Sequence, residues 1–186
     1  MKVVDNDLVM GASGKIGKML VFRQKAGKTI IAKRGIRTAP LSVDQEAVTE
    51  RFREAAIYAK KVSDDPLKKA LYEAVAKPGQ TAFNLALADF WKAPVVKKIT
   101  LDDYNGQIGG TILVRAIDNF KVETVTVQIL DGNSSILETG QAILQDNGLD
   151  WLYTATVENS SLQASTVRVT ASDLPGNKTV QDQVVE

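Results

Sequence analysis

The sequence predicts an α+β protein: a basic β-hairpin with three short helices, followed by a seven-stranded β-sandwich. Three observations predict it. Helical spacing of apolar residues fills the stretch from Val43 to Trp91. After Pro94 it gives way to short Val-, Ile- and Thr-rich runs separated by Asp, Asn and Gly. The charge changes sign at the same place. Residues 1–93 hold 17 Lys+Arg against 10 Asp+Glu, and residues 94–186 hold 6 against 12, so halves of +7 and −6 hide inside a net charge of +1. A chain of 186 residues accommodates two small domains, and the boundary is placed between 1–93 and 94–186.

Residues 19–34 form two β-rich runs around Lys25-Ala26-Gly27-Lys28, which reads as a hairpin. Alternation puts Val21 and Arg23 on one face and Leu20, Phe22 and Gln24 on the other. Ser42 with Gln45 fits a capping box and opens a helix from Val43 to Val62. Its inner face is Val43, Ala47, Val48, Phe52, Ala55, Ala56, Ala59 and Val62. Asp65 as N-cap with Pro66 at the first helical position opens a second helix, with Leu67, Ala70, Leu71, Ala74 and Val75 inward, which Lys77-Pro78-Gly79 stops. A third runs from Thr81 to Trp91, with Phe83, Leu87, Phe90 and Trp91 on its apolar face. Helices this short need a packing partner.

Seven strands follow, at about 95–101, 108–116, 122–130, 136–144, 150–157, 166–172 and 179–185. Val125, Val127 and Ile129 alternate with Thr124, Thr126 and Gln128, as one buried face requires. Seven strands in about 90 residues fit a two-sheet sandwich of immunoglobulin type, here without a disulfide.

The chain has no Cys and no His. Disulfides, thiolate and imidazole metal sites, and His- or Cys-based nucleophilic catalysis are therefore excluded. Asp5, Asn6 and Asp7 interrupt any secretory core, and no apolar run approaches the roughly 20 residues that span a bilayer. Cytoplasmic synthesis is expected, with the protein retained there unless another machine exports it or it forms part of a released or extracellular particle.

Between Leu8 and Val43 there is no acidic residue, while Lys15, Lys18, Arg23, Lys25, Lys28, Lys33, Arg34 and Arg37 fall inside that window. These eight are the candidate partner- or anion-binding residues. The spacing of Gly11, Gly14 and Gly17 resembles the dinucleotide fingerprint of short-chain reductases, with Lys18–Lys28 as its helix. Three successive helices and then antiparallel-type strands replace the β-α units such a fold needs, and no Tyr-x-x-x-Lys pair is present. The Walker pattern fails at Ala12 and at Met19. Asp118-Asn119 and Asp173 to Asn177 lie at strand ends, where turn chemistry accounts for them better than calcium does. Trp151 and Tyr153 read as core residues rather than as a carbohydrate platform. No catalytic residue, metal ligand or cofactor is predicted.

The first half carries Ser13-Gly14-Lys15-Ile16-Gly17, Val21-Phe22-Arg23, Gly27-Lys28-Thr29-Ile30, Pro40, Gln45, Arg51-Phe52 and Ala55-Ala56. Over residues 11–76 it resembles uncharacterised bacterial proteins that open with a Ser-Gly-Lys-(Ile/Val)-Gly turn and a basic hairpin, a family of no established activity. The second half, through Ala116-Ile117-Asp118-Asn119, Val122 to Ile129 and Ala171 to Asn177, resembles bacterial immunoglobulin-like modules. That resemblance implies a surface, adhesin, virion or injection-machine context. Without a secretion signal, a phage-like, tail-like or filamentous particle assembled in the cytoplasm fits better than an adhesin.

The expected function is a non-enzymatic assembly protein, a homo-oligomer or part of a larger particle, in which the basic half docks to a scaffold or another copy and the sandwich projects outward. Nucleic-acid binding by the hairpin is the alternative, and an NAD(P)-dependent reductase the third.

Overall fold

The computed structural model describes residues 2–3, 7–25, 27–34 and 40–185. The fold is α+β, and among the described residues it has three helices and three four-stranded antiparallel sheets. The chain divides into two compact units, Met1–Ala47 and Val48–Glu186. This division differs from the compositional boundary at 93/94. Composition changes where the helices end, whereas packing follows buried side chains, and the helices bury theirs with residues from the sandwich.

In the first unit, β1 (Lys2–Val3), β2 (Gly14–Ile16), β3 (Leu20–Lys25) and β4 (Lys28–Lys33) form one sheet in the order β1-β4-β3-β2. The expected hairpin is thus the centre of a larger sheet. Within the Ser-Gly-Lys-Ile-Gly stretch, Gly14–Ile16 forms strand β2. Gly17, at φ +59°, supplies the left-handed turn that folds β2 back on β3.

Helix α1 spans Val43–Asp64, α2 Pro66–Glu73 and α3 Ala82–Phe90. Their caps follow the sequence. Ser42 N–H donates to Gln45 Oε1 (3.2 Å) while Gln45 N–H donates to Ser42 Oγ (3.4 Å), a reciprocal capping box. Asp65 Oδ1 accepts from the N–H groups of Leu67 and Lys68, and Thr81 Oγ1 from that of Asn84.

The expected inner faces need correction. On α1 only Ala55, Ala59 and Val62 are buried, while Val43, Val48 and Phe52 are exposed. On α2 the inward residue is Tyr72, while Leu67 and Leu71 are exposed, as is Val75 in the turn that follows. On α3 the buried residues are Ala82, Ala86 and Asp89. The reason is chemical: α2 turns its tyrosine inward because both the ring and the hydroxyl find partners there.

Strands β5 (Val95–Thr100), β6 (Thr111–Ile117), β10 (Asp150–Thr154) and β9 (Ile143–Leu144) form one sheet in the order β5-β6-β10-β9. Strands β12 (Lys178–Val184), β11 (Thr166–Asp173), β7 (Val122–Leu130) and β8 (Ile136–Gln141) form the other, in the order β12-β11-β7-β8. The expected single strand at 136–144 is two strands in two sheets. The chain changes sheets at buried Ala142, whose N–H still donates to Val125 O (2.8 Å) before Ile143 and Leu144 pair with β10. Both sheets contribute to one core that includes Ile112, Val114, Val125, Val127, Val167 and Val169. Trp151 and Tyr153 are buried there. The Tyr153 ring lies against Gly140, where a Cβ would sit 2.6 Å from it, so only glycine fits.

Glu138 on β8 is buried and accepts from Thr156 N–H and Oγ, both at 2.6 Å, tying β8 to the chain after β10. Burial opposes its ionisation, but hydrogen bonds from Thr156, Tyr153 and Val157 prevail and hold its carboxyl below the usual range.

The helices meet the sandwich at Tyr72. Its ring stacks on Phe120 (centroids 4.1 Å apart), and its hydroxyl donates to Asp89 Oδ2 (2.7 Å) and lies 2.9 Å from the Tyr58 hydroxyl. Asn119 Nδ2 donates to Asp89 Oδ1 (3.2 Å). Asp89 is fully buried, and burial pushes its carboxyl up to about 7; the Tyr72 bond opposes this, and the nearby Asp118 and Asp173 reinforce it. Asp118 Oδ1, buried nearby, has no hydrogen-bond partner among the described residues.

Because the folded value lies above the ordinary 3.8, Asp89 favours the folded state fully below about pH 4, and this contribution is lost as pH rises through about 7. Relative to Asp89→Asn, the native chain is expected to lose about 2–3 kcal/mol of unfolding free energy between pH 5 and pH 8. Urea midpoints of the two proteins across that range measure it. A constant difference would mean that Asp89 is ionised throughout.

Candidate functional site

The register of the first sheet sorts the candidate cations. Lys15 on β2 lies opposite Val21, Val21 opposite Ala32, Arg23 opposite Ile30, and Lys25 opposite Lys28. Directly paired residues share a face and alternate residues return to it. Lys15, Arg23, Lys25 and Lys28 therefore occupy one face, drawn from three strands. Lys33 lies on the other face beside Leu20 and Ile16, Lys18 in the turn between β2 and β3, and Arg34 just after β4. All seven are exposed; Arg37 lies outside the described residues. Among the described residues, the ion pairs are Lys69–Glu73, Arg115–Asp150 and Arg168–Asp182, and none of the seven cations takes part.

On the opposite face the chain at Gly11 and Ala12 is tied to the sheet. Gly11 N–H donates to Thr29 Oγ1 (3.0 Å), and Gln24 Nε2 donates both to Ala12 O (2.8 Å) and to Thr29 Oγ1 (2.8 Å). Phe22 and Thr29 are buried on this side and Ile30 on the cationic side. These three are the buried side chains among the described residues of the unit, whereas Leu8, Met10, Ile16, Met19 and Leu20 are exposed. Residues 1–47 hold 9 Lys+Arg and 4 Asp+Glu, a net of +5, which leaves −4 for residues 48–186.

The glycine motif does not form a dinucleotide cradle. Where the analogy needs a helix after Gly17, the chain forms β3, so no helix N-terminus faces the loop. The loops at Asp118 and Asp173 show turn chemistry: Asp118 Oδ2 accepts from the N–H groups of Phe120 and Lys121, and Asp173 Oδ1 from those of Gly176 and Asn177. Among the described residues no group of three or more Asp or Glu side chains is placed to hold a metal ion. No described helix is long and apolar enough to cross a membrane. Sequence reasoning missed the gathering of Asp89, Asp118 and Asp173, since the three lie far apart in the chain; the one local hint was Asp89 inside an apolar helix.

No family model matches this chain, and no curated protein matches it. Among solved structures, the crystal structure of an engineered protein is similar at a TM-score of 0.36 and 20% identity, over 59% of this chain and 27% of that one. That likeness carries no argument about fold or function.

Thr29→Val removes the acceptor shared by Gly11 and Gln24 while keeping the side chain's shape, with an expected cost of about 1–2 kcal/mol. Amide exchange at Gly11 should accelerate by about tenfold or more; unchanged exchange would show that the loop is held by other means.

Proposed function

We propose that this chain is a non-enzymatic assembly protein whose basic first unit docks onto an anionic protein surface, leaving the second unit to display an immunoglobulin-like sandwich. The carrying observation is the face of Lys15, Arg23, Lys25 and Lys28, which among the described residues has no carboxylate partner. An anionic partner on this face would neutralise its charge, while the exposed Ile16 and Leu20 lie on the other face.

The sandwich reading rests on strand order. The orders β5-β6-β10-β9 and β12-β11-β7-β8 correspond to the A-B-E-D and G-F-C sheets of immunoglobulin-type domains, with one additional edge strand. It departs from antibody domains in having no disulfide and in carrying its core Trp on β10. A phage-like, tail-like or filamentous particle is the setting in which such a display module and a docking base fit together.

Nucleic-acid binding is the second reading, favoured by the alignment of four cations on one sheet face. Against it, neither Phe22 nor Tyr58 is placed to stack on bases. Phe22 is buried on the opposite face, and Tyr58 is hydrogen-bonded to Tyr72.

Light scattering coupled to size exclusion, at about 50 mM and about 500 mM salt, tests the proposal. Oligomers that dissociate in the higher salt are expected. A monomer at both salts would reject self-assembly, and a low-salt shift of DNA or RNA mobility, abolished by Lys28→Glu, would establish the second reading instead.

A further inference from the structure

The sandwich has a strongly polarised end of its own. Gly109 N–H donates to Ala155 O (2.8 Å), Ala155 N–H to Gly110 O (2.9 Å), Asn159 N–H to Gly106 O (2.8 Å) and Val185 N–H to Ser165 O (2.9 Å). Gly132 also lies close to Ala164. These contacts gather the β5–β6 loop, the β7–β8 turn, the β10–β11 connection and the end of β12 at one pole of the sandwich. No Lys or Arg occurs in residues 99–114, 122–167 or 179–185, and the nearest lysine is Lys98 on β5, which shares a depression with Asp102 and Val185. The pole contains Asp102, Asp103 and Glu158, all exposed, and half-buried Asp131, which shares a depression with Glu158, Asn159 and Gln163. The Arg side chains nearest along the strands are already held, Arg115 by Asp150 and Arg168 by Asp182.

We propose that this acidic pole is the docking site for the cationic sheet face of a second copy of the chain, giving a head-to-tail assembly. The inference rests on the assembly reading above and names its partner surface. Four cations that have no carboxylate partner among the described residues meet four carboxylates, of which Asp102 alone has a lysine, Lys98, in its depression. Each set repels itself in the isolated chain and is neutralised by the other. The contact joins two different surfaces, so it is heterologous, and it propagates into rings or filaments rather than closing as a two-fold dimer. Two copies of the basic unit do not pair with each other, because +5 would face +5.

The test is a charge swap in the full-length chain. Variant one carries Lys15→Glu, Arg23→Glu, Lys25→Glu and Lys28→Glu; variant two carries Asp102→Lys, Asp103→Lys and Glu158→Lys. Each alone is expected to weaken self-association by about a hundredfold at low salt, since like charges then face each other. An equimolar mixture regains it, because each variant offers the surface that the other needs. Zero-length carbodiimide cross-linking of the unmutated chain, mixed from 14N- and 15N-labelled protein, gives a readout independent of variant folding. It should join Lys15, Lys25 or Lys28 of one copy to Asp102, Asp103, Asp131 or Glu158 of another.

If self-association persists in variant two but not in variant one, the basic sheet docks elsewhere, and only the acidic pole is overturned as its acceptor. Cross-links confined within single copies overturn it as well. A chain that is monomeric at every salt overturns the assembly reading itself.

Discussion

The second unit depends on the burial of Tyr72. An 8-residue helix has little stability alone, and α2 is fixed because its one buried side chain satisfies two demands at once. The ring stacks on Phe120 at the edge of the sandwich, and the hydroxyl, which burial would otherwise penalise, is bonded to Asp89 and meets Tyr58. Helices α1, α2 and α3 each contribute one group to this chain of contacts, and Asn119 extends it into the β6–β7 loop. The cost is a fully buried carboxyl close to two others, which the structure accommodates by retaining a proton near neutral pH.

Outward-facing apolar residues follow from the same choice. Rotating α2 so that Tyr72 points in leaves Leu67 and Leu71 exposed, as is Val75 in the turn that follows, and the first half of α1 keeps Val48 and Phe52 exposed. Among the described residues of the first unit, Phe22, Thr29 and Ile30 are buried while five large apolar side chains are exposed. The two units thus differ in kind. The sandwich has a continuous core from both sheets, and the basic sheet buries few of its described side chains.

Much of the local architecture was legible in the sequence. The N-caps at Ser42, Asp65 and Thr81 are set by side-chain chemistry within three residues, and each opens its helix where expected. Alternation in Val122–Leu130 identified the inward residues Val125, Val127 and Ile129. The cationic window was plain, but its division between two faces was not. That division depends on β2 pairing with β3, and a glycine-rich stretch gives no period from which to read a strand.

The sequence by itself determined where helices begin, where strands alternate and how charge is segregated, because these are fixed by neighbours within a few residues. Tertiary structure decided which face of α2 turned inward, that the run at 136–144 crosses between sheets at Ala142, and that Asp89, Asp118 and Asp173 share one junction. It also collected Asp102, Asp103, Asp131 and Glu158 at one pole from three separate connections. The physical reason is common to all of these. Burial of a polar group and juxtaposition of like charges are energies between residues distant in the chain, and they acquire a value only when packing brings those residues together.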